Sequence, residues 1–103
     1  MCLIFLGSGN VTIGTTNDNS AGKVQIAGNL VPSTNNSYNL GTSSYAWANI
    51  YTNDLHLSNM NKPEGNDIDG TSGNWTIQEG AENLYIINNN NGKKYKISLE
   101  EIK

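Results

Sequence analysis

The side chains best suited to nucleophilic or acid–base catalysis are scarce in this chain of 103 residues. It contains one Cys, Cys2, one His, His56, and no Arg. A catalytic dyad or triad needs a nucleophile, a base and an orienting group held together. The sequence offers no Ser-His-Asp or Cys-His set with a plausible third member. We therefore predict a protein that is not an enzyme, with no catalytic residue and no cofactor.

His56 is the imidazole that a metal ion could use. It alternates with Leu55 and Leu57, which places it beside Asp54 on the polar face of a predicted strand. The simplest interpretation is a solvated strand residue, and no metal site is predicted for a single chain. The alternative is that three copies of His56 meet at a symmetry axis and hold a transition metal, for which imidazole is a suitable ligand.

The segment 66–70, Asn-Asp-Ile-Asp-Gly, gathers oxygen ligands ahead of a glycine, as calcium-binding loops do. Aligned on Gly70, however, an EF-hand loop would begin at Gly65 and would put Thr76 where the bidentate Glu belongs. We interpret the segment as a solvated turn, with an adventitious cation site as the alternative.

Aromatic rings can stack on sugars, and the candidates for this role are Trp47, Tyr51, Trp75 and Tyr85. Because aliphatic residues are few, core positions are the preferred interpretation for Trp47 and Trp75. Exposed Asn and Tyr side chains in loops would then be the better candidates for contact with a glycan.

Composition restricts the classes of partner. The formal net charge is −3, and four of the six Lys lie in the last eleven residues, so no basic stripe is available for nucleic acid. The longest apolar run, residues 2–6, is far shorter than the roughly 20 residues that cross a bilayer, and no basic signal-peptide segment precedes it. Neither nucleic-acid binding nor membrane insertion is expected.

The fold class follows from residue types that favour turns. The chain has 11 Gly and 18 Asn, and short alternating stretches recur between them. We predict an all-β fold of short strands punctuated by Gly and Asn. A chain with only 36% hydrophobic residues buries little surface, and its single Cys excludes an intrachain disulfide. Stabilisation is therefore expected from self-association or from a larger parent protein.

Two segments, 9–14 and 22–28, share the pattern Gly-x-Val-x-Ile thirteen residues apart, and a polar connector over 15–20 separates them. We interpret them as two copies of one structural unit joined by a surface loop. Their few apolar side chains, at about 1.5–3 kcal/mol each when fully buried, do not offset the backbone entropy of the ordered residues. Two copies are too few for a solenoid, so association between chains is favoured.

The remaining elements complete the predicted organisation. Segment 44–50 is predicted as a short helical turn and segment 52–58 as a half-buried strand. Residues 75–77, 84–87 and 95–99 are predicted to form a three-stranded antiparallel meander, with Asn91-Gly92 as a two-residue primed turn. The chain is accordingly divided into a fibre- or shaft-like segment over 1–60, a linker over 61–73 and the C-terminal meander over 74–103.

The segment 38–51 reads Tyr-Asn-Leu-Gly-Thr-Ser-Ser-x-x-Trp-x-x-Ile-Tyr, and it resembles a segment of bacteriophage tail fibres and tailspikes. There it often lies ahead of a C-terminal trimer-forming or self-cleaving chaperone domain. Residues 9–15 look like the repeats of such fibre shafts, and residues 75–102 are similar to the ends of structural proteins of marine bacteriophages. Many members have Arg where this chain has Ala46, and the chain lacks the signature region of the self-cleaving chaperone, so that protease activity is not expected.

The resemblance implies a β-rich, intertwined homotrimer in the virion tail, bound to other tail proteins and serving attachment to the host surface, with a surface glycan as a candidate ligand. Residues 3–6 are expected at the threefold interface. The predicted trimer core comprises Val11, Ile13, Val24, Ile26, Leu40, Trp47, Ile50, Leu55 and Leu57. Two alternatives stay open, a monomeric carbohydrate-binding β-sandwich, which predicts an exposed Trp75 or Tyr85, and a capsid-decorating trimer.

Overall fold

The computed structural model describes residues 3–7 and 9–103, without the side chains of residues 3–5. The interface predicted for residues 3–6 therefore falls largely outside the described side chains. Over the described residues the chain forms β-strands and no helix, which confirms the all-β class. The strands are β1 (Leu3–Phe5), β2 (Val11–Ile13), β3 (Val24–Ile26), β4 (Leu55–Ser58), β5 (Asn74–Glu79), β6 (Leu84–Asn88) and β7 (Lys94–Lys96).

The chain divides into two units, Met1–Thr34 and Asn35–Lys103. The first unit holds a sheet of order β1-β2-β3, and the second holds a sheet of order β4-β5-β6-β7. This division differs from the predicted boundaries at residues 60 and 74. Strand β4 belongs to the predicted shaft-like segment, yet it pairs with β5 of the meander across the predicted linker.

Strands β2 and β3 of the first unit run parallel, and their register matches the sequence repeat. Val11 lies opposite Val24, and Ile13 lies opposite Ile26, so each pair is offset by the thirteen residues that separate the Gly-x-Val-x-Ile units. Strand β1 completes the sheet as an antiparallel neighbour of β2. The two Gly-x-Val-x-Ile repeats therefore pair residue for residue in the backbone ladder.

Close approach of the two Gly-x-Val-x-Ile repeats requires glycine at one position. Gly14 has φ of +83°, and a Cβ atom there would lie 2.7 Å from the carbonyl oxygen of Ala27. The polar connector is tied to β3 by the Gln25 side chain, which accepts a hydrogen bond from the Asn19 N–H (2.7 Å) and donates one to the Asn17 carbonyl (2.6 Å). The connector is a loop whose side chains bind backbone, as its composition predicts.

All neighbours in the second sheet are antiparallel, and the predicted three-stranded meander is present as β5, β6 and β7. Strand β7 is shorter than the predicted strand over 95–99. The turn before it differs from the prediction because it spans four residues, 89–92, and closes with a Gly92 N–H bond to the Asn88 carbonyl (2.8 Å). Gly92 has positive φ whereas Asn91 does not, and a primed turn needs both. The side-chain oxygen of Asn91 instead accepts the Lys93 N–H (2.9 Å).

The predicted helical turn over 44–50 is wrong. The backbone there bends without helical hydrogen bonds, and Thr42 and Tyr45 exchange N–H···O bonds of 3.1 and 3.3 Å instead. The Thr42 hydroxyl also accepts the Tyr45 N–H, at 3.1 Å. Hydroxyl side chains compete for backbone groups in this way and so favour turns over helices.

The segment predicted as a linker is a closed loop. Asn59 joins its two ends, since its side-chain oxygen accepts the Gly73 N–H (2.7 Å) and its own N–H donates to the Gly73 carbonyl (3.2 Å). Within the loop Gly65 is buried with φ of +69°, and a Cβ atom there would collide with the Gly70 carbonyl. Side-chain amides and a glycine therefore order a segment that contains little apolar material.

No hydrophobic side chain is buried among the described residues. The described side chains that are buried belong to Thr12 and Thr76, at 0% and 3% exposure. Over residues 3–7 and 9–103, no helix is long and apolar enough to cross a membrane.

Candidate functional site

One face of the second sheet is apolar. Cross-strand register places Leu55, Ile77, Ile86 and Tyr95 in one row, and Leu57 and Trp75 in the next. Because successive residues of a strand point to opposite faces, these rows share one side of the sheet. We call the central part of this surface the apolar face, and it consists of Leu55, Leu57, Trp75, Ile77, Ile86 and Tyr95. The same side of the sheet also carries Asn88 next to Trp75, and Glu79 opposite Leu84.

The apolar face is open rather than covered by its own unit. Leu55, Leu57 and Tyr95 are 48%, 50% and 46% exposed, and the other three side chains are half-buried. The rings of Trp75 and Tyr95 lie 6.0 Å apart at an interplanar angle of 43°, a geometry typical of favourable aromatic pairs. Leu57, Trp75, Ile86 and Tyr95 line a shallow depression of about 360 Å³.

The opposite side of the same sheet carries hydrogen-bonded polar side chains. Thr76 Oγ1 lies 2.9 Å from His56 Nδ1 and accepts a 2.8 Å bond from Asn89 Nδ2. Gln78 donates to Asp54 Oδ2 at 3.2 Å. We call this side the polar face. This side also carries Tyr85 opposite Gln78 and Ile87 opposite Thr76, so the contrast between the two faces is strongest over β4 and β5.

His56 lies on the polar face beside its strand neighbour Asp54, as the alternation predicts. Thr76 Oγ1 accepts the Asn89 bond through a lone pair, so its hydroxyl proton is available for a second bond. It can donate this proton to His56 Nδ1 in the tautomer that leaves this nitrogen unprotonated. The described residues contain no group of three His, Cys, Asp or Glu that could hold a metal ion.

The segment 66–70 uses its oxygen atoms to order the loop. Oδ1 of Asp69 accepts bonds from the Thr71 hydroxyl (2.7 Å), the Thr71 N–H (3.0 Å) and Asn66 Nδ2 (2.8 Å). These bonds, led by that of the Thr71 hydroxyl, hold the pKa of Asp69 below its usual value. Oδ1 of Asn66 accepts the N–H groups of Ile68 and Asp69. The arrangement is that of a self-capped, solvated turn.

The large apolar residues of segment 38–51 are exposed within a single chain. Trp47 is 65% exposed, and Leu40 and Ile50 are each 71% exposed. Gly41, with φ of +86°, lets the chain turn so that Trp47 lies close to it. Trp47 is therefore not a core residue of the single chain, and Trp75 is half-buried rather than buried.

The residues predicted for the trimer core lie in both units. In the first unit Val11 and Ile26 are half-buried, whereas Ile13 and Val24 are exposed. In the second unit three of the predicted core residues, Leu40, Trp47 and Ile50, lie in segment 38–51. The other two, Leu55 and Leu57, lie on the apolar face. Four residues of that face were not among the predicted core, namely Trp75, Ile77, Ile86 and Tyr95.

The polar face carries one aromatic ring relevant to the carbohydrate alternative. Tyr85 is 39% exposed and borders a depression of about 470 Å³ that is also lined by Lys94 and Lys96. Strand β7, which contains both lysines, is an edge strand, where charged residues guard against pairing with other sheets.

The second sheet thus offers an apolar side suited to packing against another protein surface and a polar side suited to water or a polar ligand. Comparison with models of protein families, with curated proteins and with solved structures found no match for this chain.

Proposed function

We propose that the chain is a non-enzymatic structural and adhesion module of a bacteriophage tail fibre or tail-associated protein. In this proposal it forms a homotrimer, contacts other tail proteins in the virion and attaches to the host surface. The observation that supports it best is the lack of any buried hydrophobic side chain among the described residues. A chain that folds alone normally buries such residues in a core.

The exposed hydrophobic side chains point in the same direction. Among the described residues, 19 large hydrophobic side chains are exposed, and both units contribute to them. Apolar side chains exposed in such numbers favour burial against other chains.

The resemblance of residues 38–51 to tail fibres and tailspikes supports the choice of class. Leu40, Trp47 and Ile50 lie in this segment, and each is more than half exposed in the single chain. They are therefore free to enter a core shared between chains. A capsid-decorating trimer makes the same use of these residues and differs only in its target.

A second candidate, a monomeric carbohydrate-binding β-sandwich, is favoured by one observation, the partly exposed Tyr85 on the polar face. Aromatic rings flanked by polar groups are suited to sugars. This candidate requires a chain that is stable as a monomer.

The deciding experiment is the solution mass by light scattering over a micromolar concentration series. We expect a trimer of about 33 kDa. A folded monomer of about 11 kDa would contradict the homotrimer and favour the carbohydrate-binding candidate. Binding of the fluorescently labelled protein to bacterial cells, with a heat-dissociated sample as control, tests the attachment role separately.

A further inference from the structure

We infer that copies of the chain meet through the apolar face, so that each copy turns this side of its second sheet towards its neighbours and the polar face outwards. The inference rests on the proposed homotrimer and names the surface that forms it.

The first argument is the contrast between the two sides of the sheet. The six side chains of the apolar face are contiguous across four strands, and three of them are close to half exposed. The largest apolar patch on a soluble protein is often a functional surface. The polar face, by comparison, has its central groups hydrogen-bonded to one another.

The second argument is electrostatic and selects a copy of this chain as the partner. Each chain has a formal net charge of −3, so copies repel unless they meet at a surface without charge. None of the six side chains of the apolar face carries a charge, and the charged residue that alternation places on the same side, Glu79, lies at the end of β5 opposite Leu84, whereas Asp54, Lys94 and Lys96 lie on the polar face. An uncharged patch allows like-charged chains to approach and keeps their charges in water.

The third argument concerns the β7 edge of the sheet. Copies that joined edge to edge at β7 would bring Lys94 and Lys96 of one chain against those of the next, where like charges are unfavourable. Packing through a face avoids this repulsion.

A matched pair of variants tests the inference on the full chain. Leu57 and Ser58 are consecutive, exposed residues of β4 on opposite faces, so Leu57→Glu and Ser58→Glu add the same charge to the two sides. We expect Leu57→Glu to weaken assembly at least tenfold, shifting light-scattering mass towards a monomer, while Ser58→Glu keeps the wild-type mass. Equal masses for both variants would overturn the inference.

A second measurement does not depend on how Leu57→Glu folds. With Trp47→Phe, which keeps an aromatic ring at this position of the predicted trimer core, Trp75 becomes the sole tryptophan and reports on the apolar face. The light-scattering mass of this variant is measured first to verify that it assembles as the wild type does. In the assembled protein we expect acrylamide to quench Trp75 several-fold less efficiently than free tryptophan, and dilution below the assembly range to raise the quenching. Unhindered quenching in a protein of trimer mass would place this face outside the interface and leave the homotrimer standing. A monomeric wild type would contradict the homotrimer, and the inference with it.

Discussion

Val11 lies opposite Val24 across the parallel pair of β2 and β3, so that equivalent positions of two sequence repeats are neighbours in one ladder. Repeats that cannot bury their own apolar residues gain contacts by stacking in this way. The stack depends on close approach of the two backbones just after β2 and β3, and the missing Cβ of Gly14 allows it.

Replacing Gly14 by Ala tests that dependence. The new Cβ would meet the Ala27 carbonyl at 2.7 Å, and φ is +83°, so we expect a loss of about 1–3 kcal/mol in the free energy of unfolding, measured in urea. Gly22→Ala is the control, since Gly22 lacks a positive φ and its Cβ would meet no atom within 4 Å. That variant should be neutral or slightly more stable, because Ala restricts the unfolded chain. Equal losses in both would rule out close packing at Gly14.

Replacing each of the two buried threonines by valine should change the free energy of unfolding in different ways. Thr76→Val removes the hydroxyl that links His56 and Asn89, and we expect a loss of about 1–3 kcal/mol in the free energy of unfolding. Thr12 is also buried, but its hydroxyl has no hydrogen-bond partner among the described residues, so Thr12→Val should be neutral or stabilising. Urea unfolding of the two variants beside the wild type checks this contrast. A stable Thr76→Val protein would mean that the linkage contributes nothing.

The loop around Asp69 should show a measurable pH response. Hydrogen bonds from Thr71 hold the Asp69 pKa low in the folded chain, so their contribution is complete above the unfolded pKa of about 3.9 and is lost as pH falls through the folded pKa. The Asp69 carboxyl carbon, followed by NMR, should therefore titrate below 3.9. Thr71→Val should raise the midpoint, since the Thr71 hydroxyl is the largest cause. A wild-type midpoint at or above the ordinary value would disprove this account.

Removal of metal should leave the assembly intact. If copies meet through the apolar face, His56 on the polar face points away from the contact, and three copies of it do not converge on an axis. Light scattering with and without EDTA should give the same mass, and His56→Ala should assemble as the wild type does. A chelator that dissociates the protein would instead support the alternative of a metal held by three His56 side chains.

Some of the structure could be predicted from the sequence because it depends on local alternation. The alternation over residues 52–58 predicts a half-buried strand with His56 and Leu57 on opposite faces; the strand forms over Leu55–Ser58, with all four residues exposed. The thirteen-residue repeat predicts equivalent units. The composition of both faces of the second sheet could not be predicted in the same way. Tyr85, Ile86 and Ile87 are consecutive and hydrophobic, so only pairing with β5 decides that Ile86 joins Trp75 and Ile77.

Irregular segments were harder to predict because side-chain hydrogen bonds decide them. Asn59 closes its loop by reaching Gly73, fourteen residues away, and nothing in the local sequence indicates that partner. Asn91 bonds to the Lys93 N–H and stabilises a four-residue turn where the Asn-Gly pair favours a two-residue turn. In an Asn-rich chain, each amide has several such choices, and tertiary geometry selects among them.

The open apolar face also bears on how the protein is made. In the proposed homotrimer, a newly synthesised chain exposes this surface until it meets other copies, so assembly competes with aggregation, and both are reactions between molecules. Refolding yield should therefore pass through a maximum with protein concentration, since assembly is slow at low concentration and aggregation is fast at high concentration. The surface inferred to hold the copies together is then also the surface that promotes their aggregation.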